Sequence, residues 1–210
     1  MIFFVVLYLF CSCSNSSPER KEEPSDTSSY KATQMPDTST KENKVKTFSL
    51  PDSSVNSKLK LDDYSSLANF YSGRIHLIDS IRESPVAMFC NQKRSQYLLA
   101  YQYEGSTKNS FNCFEIGLIQ PNDIIQSKCN SVTDEVFFTE SGLKLGMSLN
   151  SLIAQKGHDY KLSTGDSVIT YRMDASNSNF VKWHNMPGYF LECYVKNGNI
   201  AKIKFGFEYP

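Results

Sequence analysis

For more than forty residues after its first dozen, this chain offers almost nothing to bury: residues 14–57 carry scattered prolines, charges of both signs and very few branched apolar side chains. Such a segment cannot offset the entropy lost on ordering itself. Folding is therefore left to the residues C-terminal to it, and the composition changes accordingly. Ser, Asn and Thr crowd the first third, whereas Phe and Tyr crowd the rest. Residues 59–210 are enough to bury roughly two thirds of their unfolded surface in one core. The expected organisation is an N-terminal signal segment over residues 1–12, a disordered tether over 13–58 and a single folded domain over 59–210. A tether of that length spans about 40 Å as a flexible coil.

Charge sets a second bound. Lys and Arg number 22, and Asp and Glu also number 22, so the chain lacks the global imbalance that binding to nucleic acid calls for. No nucleic-acid partner is expected. The clusters at Glu19–Glu23 and Lys41–Lys46 read as solvating charges within the tether.

The first ten residues, Met1 to Phe10, form an unbroken apolar run, followed by Cys11, Ser12, Cys13 and then Ser14, Asn15, Ser16 and Ser17. Ten residues fall short of the about 20 that a membrane-spanning helix needs. They suit the apolar region of a signal peptide, with Ser12 as the small residue before the cleavage point. The arrangement resembles the lipobox of bacterial lipoproteins, which implies diacylation of Cys13 and a mature chain that starts there. Cys11 fits less well, because Phe10 would fill the small-residue position. Two acyl chains anchor stably where one does not. The expected location is the bacterial cell envelope, lipid-anchored through Cys13 and on the outer membrane, facing the periplasm or the cell surface.

Within residues 59–210, strand signals dominate. Tyr97–Tyr103 and Phe111–Ile119 flank a turn-forming run, 104–109, and read as an antiparallel hairpin. In the second strand Phe114, Ile116 and Leu118 share one face, and Cys113, Glu115 and Gly117 share the other. Gln120–Asp123 then turns the chain into Ile124 and Ile125, as in a meander. Ser148 is placed as a helix N-cap, Met147 and Leu152 as a hydrophobic staple, and Gly157 as a left-handed C-terminal cap. The spacing predicts a helix over Leu149–Lys156 that turns Leu149, Leu152 and Ile153 toward the sheet. After it come a strand at Ser167–Arg172, a loop with Trp183, His184 and Pro187, and a closing pair, Tyr189–Lys196 and Ile200–Phe207. A two-residue Asn197-Gly198 turn would set Cys193 against Lys202. A three-residue loop, Asn197–Asn199, instead pairs Val195 with Ala201, Cys193 with Ile203, Leu191 with Phe205 and Glu192 with Lys204, so the second register is expected. The fold class is α+β: an antiparallel meander with a short helix packed on it.

Residues 142–207 resemble the small envelope modules of the SmpA/OmlA (BamE-like) type. The shared features are Gly146-Met147-Ser148 at a helix start, Gly157 at its end, the aromatic strand Ile169-Thr170-Tyr171-Arg172 and Lys196-Asn197-Gly198 at the closing hairpin. The resemblance implies a helix on an antiparallel sheet in an envelope lipoprotein that binds other proteins, and it carries over no catalytic residues. The long β region before the helix and the Phe205–Pro210 ending depart from that pattern.

Cys90, Cys113, Cys129 and Cys193 remain once Cys11 and Cys13 are set aside, an even number suited to an oxidising compartment. Cys113 and Cys129 flank the turn at Pro121 almost symmetrically, which makes a bridge between them the first candidate, worth about 3 kcal/mol for a loop of that size. Four separate buried thiols are the alternative, and Cys193 suits it by facing the core with Leu191 and Val195. His76, His158 and His184 have no Cys or His at metal-ligand spacing, so no metal and no cofactor is expected. A Gly-x-Ser-x-Gly elbow and a Gly-rich phosphate loop are both missing from the sequence. Trp183, His184, Met186 and Tyr189 form the candidate partner-contact patch, because interfaces favour Trp, Tyr and Met and loops often carry recognition. The competing role for Trp183 is a plug over the sheet. The function expected is that of a non-enzymatic, membrane-anchored module binding another envelope protein. The rivals are a surface hydrolase without a recognisable motif and a small-ligand binder.

Overall fold

Alternating in-and-out side chains build the sheet of this protein, seen in a computed structural model that describes residues 50–78, 84–121, 123–163 and 167–209. The elements run β1 (Ser54–Val55), β2 (Leu59–Lys60), a 3-10 turn (Tyr64–Ser66), α1 (Leu67–Phe70), β3 (Val86–Cys90), β4 (Gln96–Tyr101), β5 (Cys113–Leu118) and α2 (Ile124–Lys128). They continue with β6 (Asn130–Ser131), α3 (Leu149–Lys156), β7 (Lys161–Ser163), β8 (Val168–Asp174), α4 (Asn179–Trp183), β9 (Gly188–Lys196) and β10 (Asn199–Phe207). The class is α+β. Eight strands make one sheet in the order β6-β3-β4-β5-β10-β9-β8-β7, and β1 and β2 pair separately.

The expected meander is present as two runs, β3-β4-β5 and β7-β8-β9-β10, joined where β5 and β10 pair antiparallel. The sheet as a whole is mixed, because edge strand β6 lies parallel to β3. Helix α2 stands where the sequence suggested a further strand after Pro121. Its cause is local: the Asp123 side chain accepts from the Ile125 amide at 3.0 Å and caps the turn.

The sheet has a thick core on one face. Phe89, Leu98, Phe114, Ile116, Ile169, Tyr171, Leu191, Cys193, Ile203 and Phe205 point there, and meet Val55, Leu59, Leu67, Phe70, Leu152 and Val181 from the covering elements. The other face holds a smaller cluster of Val86, Met88, Tyr97, Leu99, Tyr101, Cys113 and Ile125. Gly117 fits between them because the Tyr97 ring lies across it, where a Cβ would come within 2.4 Å of that ring. The Tyr97 and Tyr101 hydroxyls then both donate to buried Glu115, at 2.8 and 3.1 Å. Lys204 stands opposite Glu115 on β5 and opposite Glu192 on β9.

The closing hairpin keeps both features that the sequence set in conflict. Lys196 pairs with Asn199 across an Asn197-Gly198 turn, with φ of 52° and 76° at the two turn residues, the left-handed values that a type I′ turn requires. The register then shifts between Ile200 and Lys202. One extra residue restores Cys193 opposite Ile203, Leu191 opposite Phe205 and Glu192 opposite Lys204. The expected Val195–Ala201 pair is replaced by Val195–Ile200. A bulge thus achieves what a longer loop was expected to achieve.

The tether boundary also moves. Residues 50–58 belong to the folded body: Asp52, Ser54, Val55 and Asn56 are buried. Val55 bridges Thr139, and the Asn56 amide N–H donates to the Phe138 carbonyl at 2.9 Å. Their polar composition concealed this, since Asn56 and Asp52 are buried through specific hydrogen bonds instead of through hydrophobicity. The apolar run, Cys11, Cys13 and the tether up to residue 49 lie outside the described residues.

Candidate binding site at the Trp183 corner

Trp183 is carried by α4, a five-residue helix placed where the sequence suggested a loop. Ser178 caps it, its hydroxyl accepting from the Val181 amide at 3.5 Å. Asn185, at φ 51°, takes the chain out of the helix in the left-handed conformation that Asn tolerates. Helical spacing divides the side chains. Val181 is fully buried, and Phe180 stacks on Phe207 with centroids 5.4 Å apart and meets Tyr189 edge-on at 5.8 Å. Each such ring pair adds about 0.5–1.5 kcal/mol beyond area burial. The opposite side of the helix puts Lys182 and Trp183 in solvent.

Trp183 is 88% exposed, the exposure that a plug over the sheet would forbid. It borders an open depression of about 490 Å³ lined by Asn179, Phe180, Lys182 and Trp183. His184 supports it from below: the imidazole lies 4.9 Å from the Phe207 ring and 6.0 Å from the indole, and its Nδ1 is 3.4 Å from Asp62 Oδ2. Asp62 is fixed in turn by the Ser110 hydroxyl at 3.0 Å. The corner therefore offers a rigid base and a free indole.

The four residues expected to act together are separated by the fold. Trp183 is at the surface, His184 and Met186 are partly buried beside it, and Tyr189 is completely buried. Tyr189 leaves the contact patch because it begins the inward-facing series Tyr189, Leu191, Cys193 on β9. Phe180 and Lys182 take its place. The signal for them was present in the sequence, with Ser178 three residues before Val181 as a cap, but a five-residue helix gives periodicity too little length to show.

Tyr189 instead completes a buried lock. Its hydroxyl accepts from the Asp52 amide at 3.0 Å and donates to the Asp52 carbonyl at 3.1 Å. The Asp52 carboxylate accepts from the Ser141 amide at 2.6 Å and pairs with Lys156 at 2.8 Å, while Lys156 also donates to the Leu50 carbonyl at 2.9 Å. Asp52 is wholly buried and Lys156 is 2% exposed. Burial pushes the Tyr189 phenol well above its ordinary range, and the nearby Asp52 adds to the shift. Helix α3 spans the expected residues with the expected N-cap, the Ser151 amide donating to Ser148 Oγ at 3.2 Å; Gly157 ends it at φ 92° and ψ −174°, an extended glycine conformation instead of the left-handed helical cap that the sequence predicts. Its inward residues are Leu152 and Lys156, one turn apart, with Leu149 only partly buried against the core and Ile153 partly buried.

The expected Cys113–Cys129 bridge is not made; both are free thiols, as are Cys90 and Cys193. Cys113 starts β5 and Cys129 precedes β6, and β3 and β4 lie between those strands. Three strand spacings amount to about 14 Å, twice the about 7 Å Cα separation that a disulfide tolerates. Symmetry about Pro121 in the sequence did not become adjacency in the sheet. Burial pushes the Cys113 and Cys193 thiols up to about 12, so both stay protonated near neutral pH.

Among the described residues, no group of three or more His, Cys, Asp or Glu side chains is placed to hold a metal ion. No helix among them is long and apolar enough to cross a membrane. No family model, curated protein or solved structure matches this chain.

Proposed function

We propose that this protein is a non-enzymatic lipoprotein of the bacterial envelope, anchored through acylated Cys13, whose folded domain binds another envelope protein at the Trp183 corner. The observation that carries the reading is the indole itself, 88% exposed beside a depression of about 490 Å³ on a helix whose inner side is locked into the core. Water-exposed Trp on a rigid support is what dominant interface residues look like before binding: large contact area with little rotamer entropy to lose. Lys182 beside it favours a partner segment that presents an apolar side chain with an acidic neighbour. The membrane anchor and about 35 Å of tether give this corner a local search volume.

The resemblance of residues 142–207 to BamE-like modules agrees with a protein-binding role, and the folded segment 84–131 ahead of that region sets this domain apart from them. A small-ligand binder is the second reading, favoured by the size of the depression, which lies within the about 300–1,000 Å³ of ligand sites.

Trp183→Ala in the tagged, full-length protein tests the proposal. The expected result is an unchanged melting temperature with loss of the co-purifying envelope partner. Full partner retention by the folded variant would refute binding at this corner. In parallel, Cys13→Ser is expected to abolish labelling by palmitate and to move the protein out of the membrane fraction.

A further inference from the structure

Cys90 ends β3 and is completely buried, while Cys129 caps the C-terminus of α2 and is partly exposed. The parallel pairing of β3 with β6 sets Cys90 opposite Ser131 and Phe89 opposite Asn130, with Cys129 next along the chain. Cys90 Sγ lies 3.9 Å from the Cys129 carbonyl oxygen and 3.4 Å from Ser131 Oγ, which brings the Cys90 thiol against the Cys129 residue itself. Arg94 spans the group, with Nη1 donating to Ser131 Oγ at 2.8 Å and Nη2 approaching Cys129 Sγ at 3.5 Å. It also donates to the Gln126 carbonyl. Two cysteines held side by side through Ser131 and Arg94, one of them partly exposed with a guanidinium on its sulfur, form the arrangement that thiol–disulfide exchange uses.

We propose that Cys90 and Cys129 form the disulfide of this protein, stapling edge strand β6 and helix α2 to β3. The oxidant is a disulfide, either of a thiol oxidoreductase or of a small thiol. The Cys129 thiolate attacks one of its sulfurs and expels a thiolate, giving a mixed disulfide on Cys129. Cys90, deprotonated in turn, attacks the Cys129 sulfur and expels the second thiolate. Two protein thiols are oxidised by two electrons, one external disulfide is reduced to two thiols, and the protons of the protein thiols end on the leaving groups. Burial and the adjacent Cys90 push the Cys129 thiol up to about 12, with Arg94 acting in the opposite direction. Exchange is therefore slow without a catalyst, and the finished bond removes two thiols whose anions oppose each other. The staple serves a physical need, since β6 covers the β3 edge with only two residues, and an edge left unpaired is a template for pairing with another chain. The inference stands apart from whichever partner the Trp183 corner takes.

Incubating the folded full-length chain with oxidised glutathione and a catalytic thiol oxidoreductase, alkylating the remaining thiols and digesting with trypsin without reduction tests it. The expected product links peptide 83–93 to peptide 129–144, two hydrogens lighter than their sum and separated by reduction. A Cys113→Ser variant is expected to give the same link. Alkylation of both Cys90 and Cys129, glutathione retained on Cys129, or a link from either cysteine to Cys113 or Cys193 would overturn the proposal.

Discussion

Trp183 and Tyr189 stand six residues apart, carry the same kind of amphipathic ring and meet opposite fates. The indole is 88% exposed on α4, whereas the phenol is completely buried at the head of β9 with its hydroxyl satisfied by the Asp52 backbone. Side-chain chemistry does not distinguish them. What does is the element beneath: on a one-turn helix Trp183 sits two positions, about 200°, round the axis from buried Val181 and so faces solvent, and on a strand every second residue is carried into the core. The first position is free to serve recognition, and the second is committed to holding residues 50–56 on the sheet.

This contrast can be broken from its buried side first. Asp52→Ala leaves Lys156 buried without its counter-ion and is expected to cost about 3–5 kcal/mol, measured by urea denaturation. Combining Asp52→Asn with Lys156→Met, which keeps an acceptor for the Ser141 amide and removes the charge, is expected to recover most of that loss. If the single variant costs no more than the double, the ion pair is not what holds the segment. Tyr189→Phe keeps the ring and orphans the Asp52 amide and carbonyl, and the expected loss is about 1–3 kcal/mol. Trp183→Ala lies at the other extreme, within about 0.5 kcal/mol of wild type; a larger loss would mean that the indole supports the core after all. The smallest effect is spectroscopic. Trp183 is the only tryptophan in the chain, so its emission is expected to be that of a hydrated indole in the folded state and to shift little on unfolding. A strongly blue-shifted native emission would contradict the exposed placement.

The same contrast shows what sequence makes legible. Strand faces such as Phe114 and Ile116 against Cys113 and Glu115, the capped helix Leu149–Lys156, and the Cys193–Ile203 and Leu191–Phe205 pairs follow from local periodicity and capping, and the structure has them. Three features escaped because their causes are non-local. Asp52 reads as tether until Lys156, Ser141 and Tyr189, distant in sequence, surround it. Ala201 becomes a bulge only because the Asn197-Gly198 turn and the core face of β10 impose different registers. Cys113 and Cys129 look like partners across one turn, yet the sheet order puts β3 and β4 between them. At the corner itself, Trp183 and His184 were legible as residue types, but Phe180 and Lys182 depended on a helix too short for periodicity to reveal.

The most direct test of the binding account is a photo-activated cross-linking residue placed at position 183 of the anchored protein in intact cells, compared with the same residue at exposed Leu162 on β7. One dominant envelope protein trapped from position 183 and not from 162 is the predicted result. Equal and diffuse labelling from both positions would contradict a binding site at the Trp183 corner.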